Sequence, residues 1–543
     1  MNWKEKILKG KNPFYLLWGL GLIVYGWSVT FGFTYLDDNV LILDNLFYIK
    51  NLGNILNAFR LEVFHVLHSS AAYYRPVLTI SFILDAQVSG ASPVFYHITN
   101  ILIHFITVSL IFVFLNELGY EREKSLVVSL LFLVHPVLTQ AVVWIPGRND
   151  SLLLLFVLPA FIYFLKFLDA QREKYLYYHF LFFALAIFTK ESAVLATLLV
   201  LFYLQFVRGD ELLSNIKIKL GLGWGFIGMF WFVLRSSALV NPVGYTLTSA
   251  VETVGKNILA VVLYVGKVFF PVNLSVLPTL VDSTLVWGWI SIVILMAIYI
   301  VTKKKRNKMV LFGGLWFLIF LLPSFIRPSS YYAPDFIEHR MYVPMVGLLI
   351  VLLELVGLRD FDLKKQRDVW VVGSLILVFS VGTIWYSRPF RDQISFWTNA
   401  VGHSPSHPLA HKNLGAMYYL DGRLEEAEKS YKKSLEINPV ETMVHNNLGL
   451  IYFDWGDYAR AEEEYRAELE INPYYDRAYF NYGLLKYVEG HKEEAAEMWV
   501  KTLEINPDHY GAYRNLVAYY SEEKDMEKAQ YFYNEALRRG FQL

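Results

Sequence analysis

The sequence predicts an all-α protein in two parts: a helical membrane region over residues 1–387 and a stack of helix pairs over residues 408–543. Three observations predict it. Hydrophobic residues make up 55% of the 543-residue chain, aromatic residues 17%, and mean hydropathy is positive, the composition of a polytopic helical membrane protein. Up to Tyr386, apolar runs alternate with short charged breaks. Beyond it, Pro405, Pro439, Pro473 and Pro507 stand thirty-four residues apart. The formal net charge is zero, which gives no reason to expect nucleic acid as a partner. Cysteine is absent, so no disulfide, thiolate nucleophile or thiolate metal site is available.

Lys4, Lys6, Lys9 and Lys11 precede the first apolar run. That run ends in Tyr35-Leu36-Asp37-Asp38 rather than in a small-residue cleavage site, so it is read as a retained membrane helix entering from the cytoplasm. Eleven spans are expected, near 14–35, 94–116, 125–145, 151–168, 175–190, 192–207, 219–239, 285–302, 309–326, 341–358 and 369–386. The basic breaks at 121–124, 172–174, 208–219, 303–308 and 359–367 then all fall on the cytoplasmic side. A single crossing by 257–276 would reverse that parity. This segment, with Pro271 and Pro278 close by, is therefore expected to enter and return, or to lie along the outer surface. The loops 36–93, 146–150, 190–191, 240–284 and 327–340 share the outer face with everything after Tyr386. In a prokaryotic cell this would be the plasma (inner) membrane.

In the C-terminal part, Ala427, Ala461, Ala495 and Ala529 keep the period of the prolines. So do Gly415, Gly449 and Gly483, and Tyr431, Tyr465, Trp499 and Tyr533. The pattern resembles the tetratricopeptide repeat, one helix pair per unit, with units at 408–441, 442–475, 476–509 and 510–543. The last unit has Val517 for glycine and Phe541 for proline, as a terminal unit can. Residues 388–407 form a linker with a half-repeat helix near 390–402, carrying Trp397, Ala400 and Pro405. Such arrays hold peptides or proteins, so this part is expected to bind a partner.

Strong polar groups punctuate the apolar region on the predicted outer side. Ionisable groups at the membrane are functional candidates. Asp37 and Asp38 follow the first span. Arg75, Arg148, Lys190 and Arg340 supply cations, and Asp150, Glu191 and Glu338 supply acids. His97 and His104 lie seven residues apart on one helical face. His135, Gln140 and Tyr342 complete the set. A histidine of this kind often serves only helix packing, and Arg148/Asp150 or Lys190/Glu191 could be plain interfacial ion pairs. Taken together, the cations suit a phosphate, and a carboxylate at Asp37 or Asp38 suits proton removal from an attacking hydroxyl. The reading leans slightly to Asp38.

The stretches Tyr35-Leu36-Asp37-Asp38, Tyr74-Arg75-Pro76-Val77-Leu78-Thr79, Phe95-Tyr96-His97 through His104, His135-Pro136-Val137-Leu138-Thr139-Gln140, Gly147-Arg148-Asn149-Asp150, Thr189-Lys190-Glu191 and Glu338-His339-Arg340-Met341-Tyr342-Val343-Pro344 occur in this order, with the repeats after them. The ordered set resembles the transmembrane and tetratricopeptide-repeat O-mannosyltransferases and their bacterial relatives, within the GT-C glycosyltransferases. The resemblance implies a GT-C-type membrane domain with its site on the outer face. It implies a sugar donor on polyprenyl or dolichyl phosphate, a hydroxyl acceptor and inversion at the anomeric carbon. Asp37 or Asp38 would be the base. Arg75, His97, His104, His135, Arg148, Asp150, Lys190, Glu191, Arg340 and Tyr342 would serve the donor, with Gln140 and Glu338 supporting. Gln140 stands where the family has an acidic residue, and the Asn149 position also varies. No metal or other cofactor is expected. The acceptor is expected to be Ser or Thr of an exported protein held by the repeats. A transferase acting on a glycolipid or surface polymer, a non-enzymatic membrane scaffold and a transporter are the alternatives, the last without an inverted repeat in its favour.

Overall fold

A computed structural model describes residues 3–67, 73–209, 213–239, 246–302, 306–326, 336–355 and 365–542. Parts of the predicted breaks at 208–219, 303–308 and 359–367, of the loops 36–93, 240–284 and 327–340, and of the span 341–358 lie outside the described residues. The chain forms two compact units, Met1–Ser404 and Pro405–Leu543. Both are helical, and no β-strand occurs among the described residues.

In the first unit, α1 (Asn12–Tyr25) starts on Pro13, whose missing N–H costs nothing at a helix N-terminus. Arg122 donates to the carbonyls of Leu8 and Gly10 just before it. There follow α2 (Pro76–Ser89), α3 (Pro93–Glu117), α4 (Arg122–Val134), α5 (Thr139–Val143), α6 (Arg148–Ala170), α7 (Glu173–Thr189), α8 (Leu195–Phe202) and α9 (Leu213–Ala238). Next come α10 (Leu247–Lys256), α11 (Ala260–Phe269), α12 (Val286–Val301), α13 (Asn307–Leu321), α14 (Pro344–Leu355), α15 (Gln366–Ser387) and α16 (Gln393–His403). α3, with 25 residues, is about 37 Å long, enough to cross a hydrocarbon layer. By length and composition seven helices among the described residues can cross, and up to nine if each bent pair is one span. The other predicted spans form the shorter α7, α12 and α14, of 17, 16 and 12 residues. The protein is a multi-pass membrane protein.

Two bends matter for the site. α4 and the 136–143 segment meet at 56°. Pro136 cannot continue the α4 hydrogen-bond ladder, and His135 caps the new turn by accepting from the Val137 amide at 3.3 Å. α10 and α11 meet at 47°, and neither is long enough to cross alone. The bent pair has the geometry of a broken span or of a re-entrant loop, and only the second is the form expected of 257–276. Glycines let neighbouring helices touch. A Cβ on Gly266 would lie 2.6 Å from the Gly288 amide, and one on Gly313 would lie 2.5 Å from the Gly347 carbonyl.

In the second unit the four predicted repeats are four helix pairs: α17/α18 (Pro408–Leu420, Leu424–Ile437), α19/α20 (Val444–Asp454, Tyr458–Ile471), α21/α22 (Asp476–Val488, Lys492–Ile505) and α23/α24 (Tyr510–Glu522, Met526–Arg538). The periodic residues meet as their spacing predicts. Gly415 abuts Tyr431, Gly449 abuts Tyr465 and Gly483 abuts Trp499, each too closely for a methyl group. Ala427, Ala461 and Ala495 are fully buried.

Candidate functional site

The turn Thr34–Asp38 is built by Asp38. Its carboxylate accepts from the Thr34 amide at 2.7 Å, the Thr34 hydroxyl at 2.9 Å and the Tyr35 amide at 2.7 Å. Asp38 is buried, and that burial pushes its carboxyl up to about 7 against the three donors, with the Asp37 charge adding to the rise. Tyr35 and Asp37 both adopt the left-handed region, φ 59° and 66°. Such strain costs on the order of 1–3 kcal/mol per residue and persists only where the surroundings over-determine it. Here Trp144 donates to the Thr34 hydroxyl at 3.1 Å and the Leu36 carbonyl at 3.2 Å, and Trp397 donates to the Thr34 carbonyl at 3.1 Å. Asp37, in the same turn, is half-buried.

From Trp144 the contacts lead to the other polar residues. Its ring lies 5.2 Å from that of His339, whose Nε2 is 3.6 Å from Asp150. Asp150 takes Lys190 on both carboxylate oxygens, at 2.9 and 3.0 Å, and faces Arg75. Arg75 is 3.6 Å from Glu191 and lies over the Tyr73 ring at 4.5 Å, while its Nε is buried with no hydrogen-bond partner. Gln140 braces this group. It accepts from the His339 amide at 3.2 Å and donates to the Val276 carbonyl at 3.1 Å. Glu338, fully buried, accepts from Lys267 at 2.6 Å, Tyr386 at 2.8 Å and the Ser275 amide at 3.1 Å. It thereby ties α11, α15 and the 275–277 segment to the turn Glu338–Met341, which also carries the half-buried Arg340.

The structure thus joins Asp38, Arg75, Asp150, Lys190, Glu191, Gln140 and Glu338 through a chain of contacts, with Asp37 next to Asp38 in the same turn. Four of the other predicted donor residues have different surroundings. Arg148 is fully buried and spends its N–H groups on Asp85 at 2.6 Å, the Asn100 side chain at 2.6 Å, the Tyr96 carbonyl at 2.8 Å and Ser81 at 3.1 Å. It clamps α2 to α3 and α6 and offers no surface to a phosphate. His104 and Tyr342 pair with each other at 2.7 Å in the core, and His104 also contacts the Leu133 carbonyl. His135 is a cap, with its Nε2 3.0 Å from the Val268 carbonyl. These are packing roles. His97 is buried edge-on against Phe31, three residues before Thr34.

Sequence reasoning missed Trp144, Lys267 and Trp397 as members of this network, and Asp85 as the partner of Arg148. Lys267 had a visible signal, a cation inside an apolar run. The tryptophans had none, since an indole in an aromatic-rich chain looks like core. The 271–274 segment borders a largely apolar groove of about 1290 Å³ lined by Trp27, Leu274, Val381, Trp385 and Tyr386.

Residues 78–234 match the family described as dolichyl-phosphate-mannose-protein mannosyltransferase, and residues 408–439 and 444–475 match the tetratricopeptide repeat. A protein O-mannosyl-transferase of Caenorhabditis elegans is 26% identical over 388 residues, covering 67% of this chain and 54% of that one. Protein O-mannosyl-transferase TMTC4 of Homo sapiens is 22% identical over 415 residues, covering 64% and 56%. Protein O-mannosyl-transferase TMTC3 of Homo sapiens is 38% identical over 89 residues, covering 16% and 10%. The chain spans little more than half the length of the Caenorhabditis elegans protein and of TMTC4. With a matched membrane segment followed by repeats, the chain is similar to the protein O-mannosyl-transferases.

Proposed function

We propose that the chain is a membrane glycosyltransferase that moves a mannose from a polyprenyl- or dolichyl-phosphate donor to a Ser or Thr hydroxyl of a protein held by the repeats. The observation that carries this reading is the division of labour in the acidic turn. Asp38 is committed to three internal donors, and Asp37 lies beside it, half-buried and in the left-handed region, in a turn whose contacts lead through Trp144 and His339 to Asp150, Lys190 and Arg75. In a single displacement, Asp37 takes the hydroxyl proton as the acceptor oxygen bonds to the anomeric carbon. The bond from that carbon to the phosphate oxygen breaks, the electron pair leaves with the phosphate, and configuration inverts. Arg75, with its unpartnered Nε, together with Lys190 and Arg340, would meet the charge gathering on that phosphate. The role of charge stabiliser falls to side chains, with no metal. The apolar groove beside Trp385 suits a prenyl chain. The repeats and the acidic turn would both face away from the cytoplasm.

The test is transfer by the purified full chain from mannosyl-phosphoryl-dolichol to a Ser/Thr peptide. Asp37→Asn should lower the rate by about 10²–10⁴-fold while insertion is unchanged. Retained activity would remove Asp37 from the role of base. Deleting 405–543 should abolish transfer to protein, and survival of transfer to glycolipid or polymer would favour that acceptor class instead.

A further inference from the structure

The helix leading into the repeats is also a wall of the acidic turn. Residues 388–404 belong to the membrane unit. α16 starts on Asp392, which accepts from the Ser395 amide at 2.7 Å, and it buries Phe396, Trp397 and Ala400 completely. Four hydrogen bonds tie this stretch to two distant loops. The Gly32 amide donates to the Arg391 carbonyl at 2.8 Å, and Trp397 Nε1 donates to the Thr34 carbonyl at 3.1 Å. The Val276 amide donates to Asn399 at 3.1 Å, and Ser404 donates to the Leu277 carbonyl at 2.7 Å.

Thr34 is the node. Its amide and hydroxyl both go to Asp38, its hydroxyl receives Trp144, and its carbonyl receives Trp397. Each polar group of Thr34 therefore has an assigned partner, and the two left-handed residues follow directly, Tyr35 next and Asp37 two further on. Without the Trp397 N–H, the Thr34 carbonyl would be left as a buried acceptor to be satisfied, and the turn is free to relax.

We infer that Trp397 is a positioning residue for the proposed transfer. Its indole N–H fixes the Thr34 carbonyl, and through Thr34 and Asp38 it fixes where Asp37 stands. The inference rests on the proposed role of Asp37, but the placement of the turn can be read without activity. A ring that merely filled space would act through its shape alone.

The experiment separates shape from hydrogen bond in the full chain. Trp397 is replaced by phenylalanine (Trp397→Phe) and, by codon reassignment, by benzothienylalanine, which keeps the bicyclic shape with sulfur in place of N–H. Both should lower kcat about tenfold, the scale of one lost hydrogen bond, with the donor KM within about twofold. In the cysteine-free background, a Tyr35→Cys reporter should react with a maleimide several-fold faster in both Trp397 variants. Wild-type kcat and labelling rate in the benzothienylalanine protein would overturn the inference, even if Trp397→Phe is impaired. Should the wild type transfer no sugar, the proposed function fails, and labelling alone then decides whether Trp397 holds the turn.

Discussion

At the scale of single residues, burial decides which charged groups can act. Asp38 and Arg148 are both consumed by their neighbours, in opposite senses. The Asp38 carboxyl, raised to about 7, keeps in the folded state a proton that the unfolded chain has already lost above about pH 4. Its contribution to stability is therefore full below the unfolded value and is lost as pH rises through about 7. Asp38→Asn is neutral throughout, so the gap in melting midpoint between wild type and this variant should narrow from pH 5 to pH 8 in detergent. A gap that widens over this range would reverse the assigned shift. Arg148 has its charge matched by Asp85 and is fully enclosed. Asp85→Asn should cost about 3–5 kcal/mol, because it strands a buried guanidinium. Thermal unfolding would show this. The sequence revealed Arg148 as unusual but not its partner: Asp85 sits sixty-three positions away, in a stretch read as loop that forms α2. The acidic pair was legible from its place at the end of a span. The difference between Asp37 and Asp38 was not, since it arises from backbone donors that only the folded turn supplies.

At the scale of elements, close approach and breaks do the organising. The helix pairs of the repeats were readable because one glycine and one aromatic residue recur at fixed spacing, and Gly415, Gly449 and Gly483 each receive the predicted ring. The pairing of α13 with α14 was not readable, since neither Gly313 nor Gly347 belongs to a repeat. A Cβ on Gly347 would run into the Gly313 carbonyl, a backbone atom that cannot rotate away, whereas Gly314 faces open space. Gly347→Ala should therefore lower stability by about 1–3 kcal/mol or more, and Gly314→Ala should leave the melting midpoint within a degree or two of wild type. Equal effects would mean that the two helices do not pack through this contact. The bends at His135-Pro136 and between α10 and α11 serve a different end. They bring Gln140 and Lys267 to the segments that carry His339 and Glu338.

At the scale of the whole molecule, the proposed orientation puts the N-terminus and the repeats on opposite sides of the membrane. Because cysteine is absent, Lys9→Cys and Lys524→Cys give clean single reporters at exposed positions. In intact cells a membrane-impermeant maleimide should label the second and leave the first untouched. The opposite pattern would refute the assigned parity. The boundary at Ser404/Pro405 has a practical consequence for recombination. The half-repeat helix is repeat-like in sequence, so an alignment of repeats alone would cut the chain near 388. A chimera joined there loses the Trp397, Asn399 and Ser404 contacts and exchanges part of the proposed catalytic pocket along with the binding array. A chimera joined at 405 swaps only the array. On the proposed function, recognition of the acceptor is thus portable at one seam and inseparable from chemistry at another seventeen residues earlier.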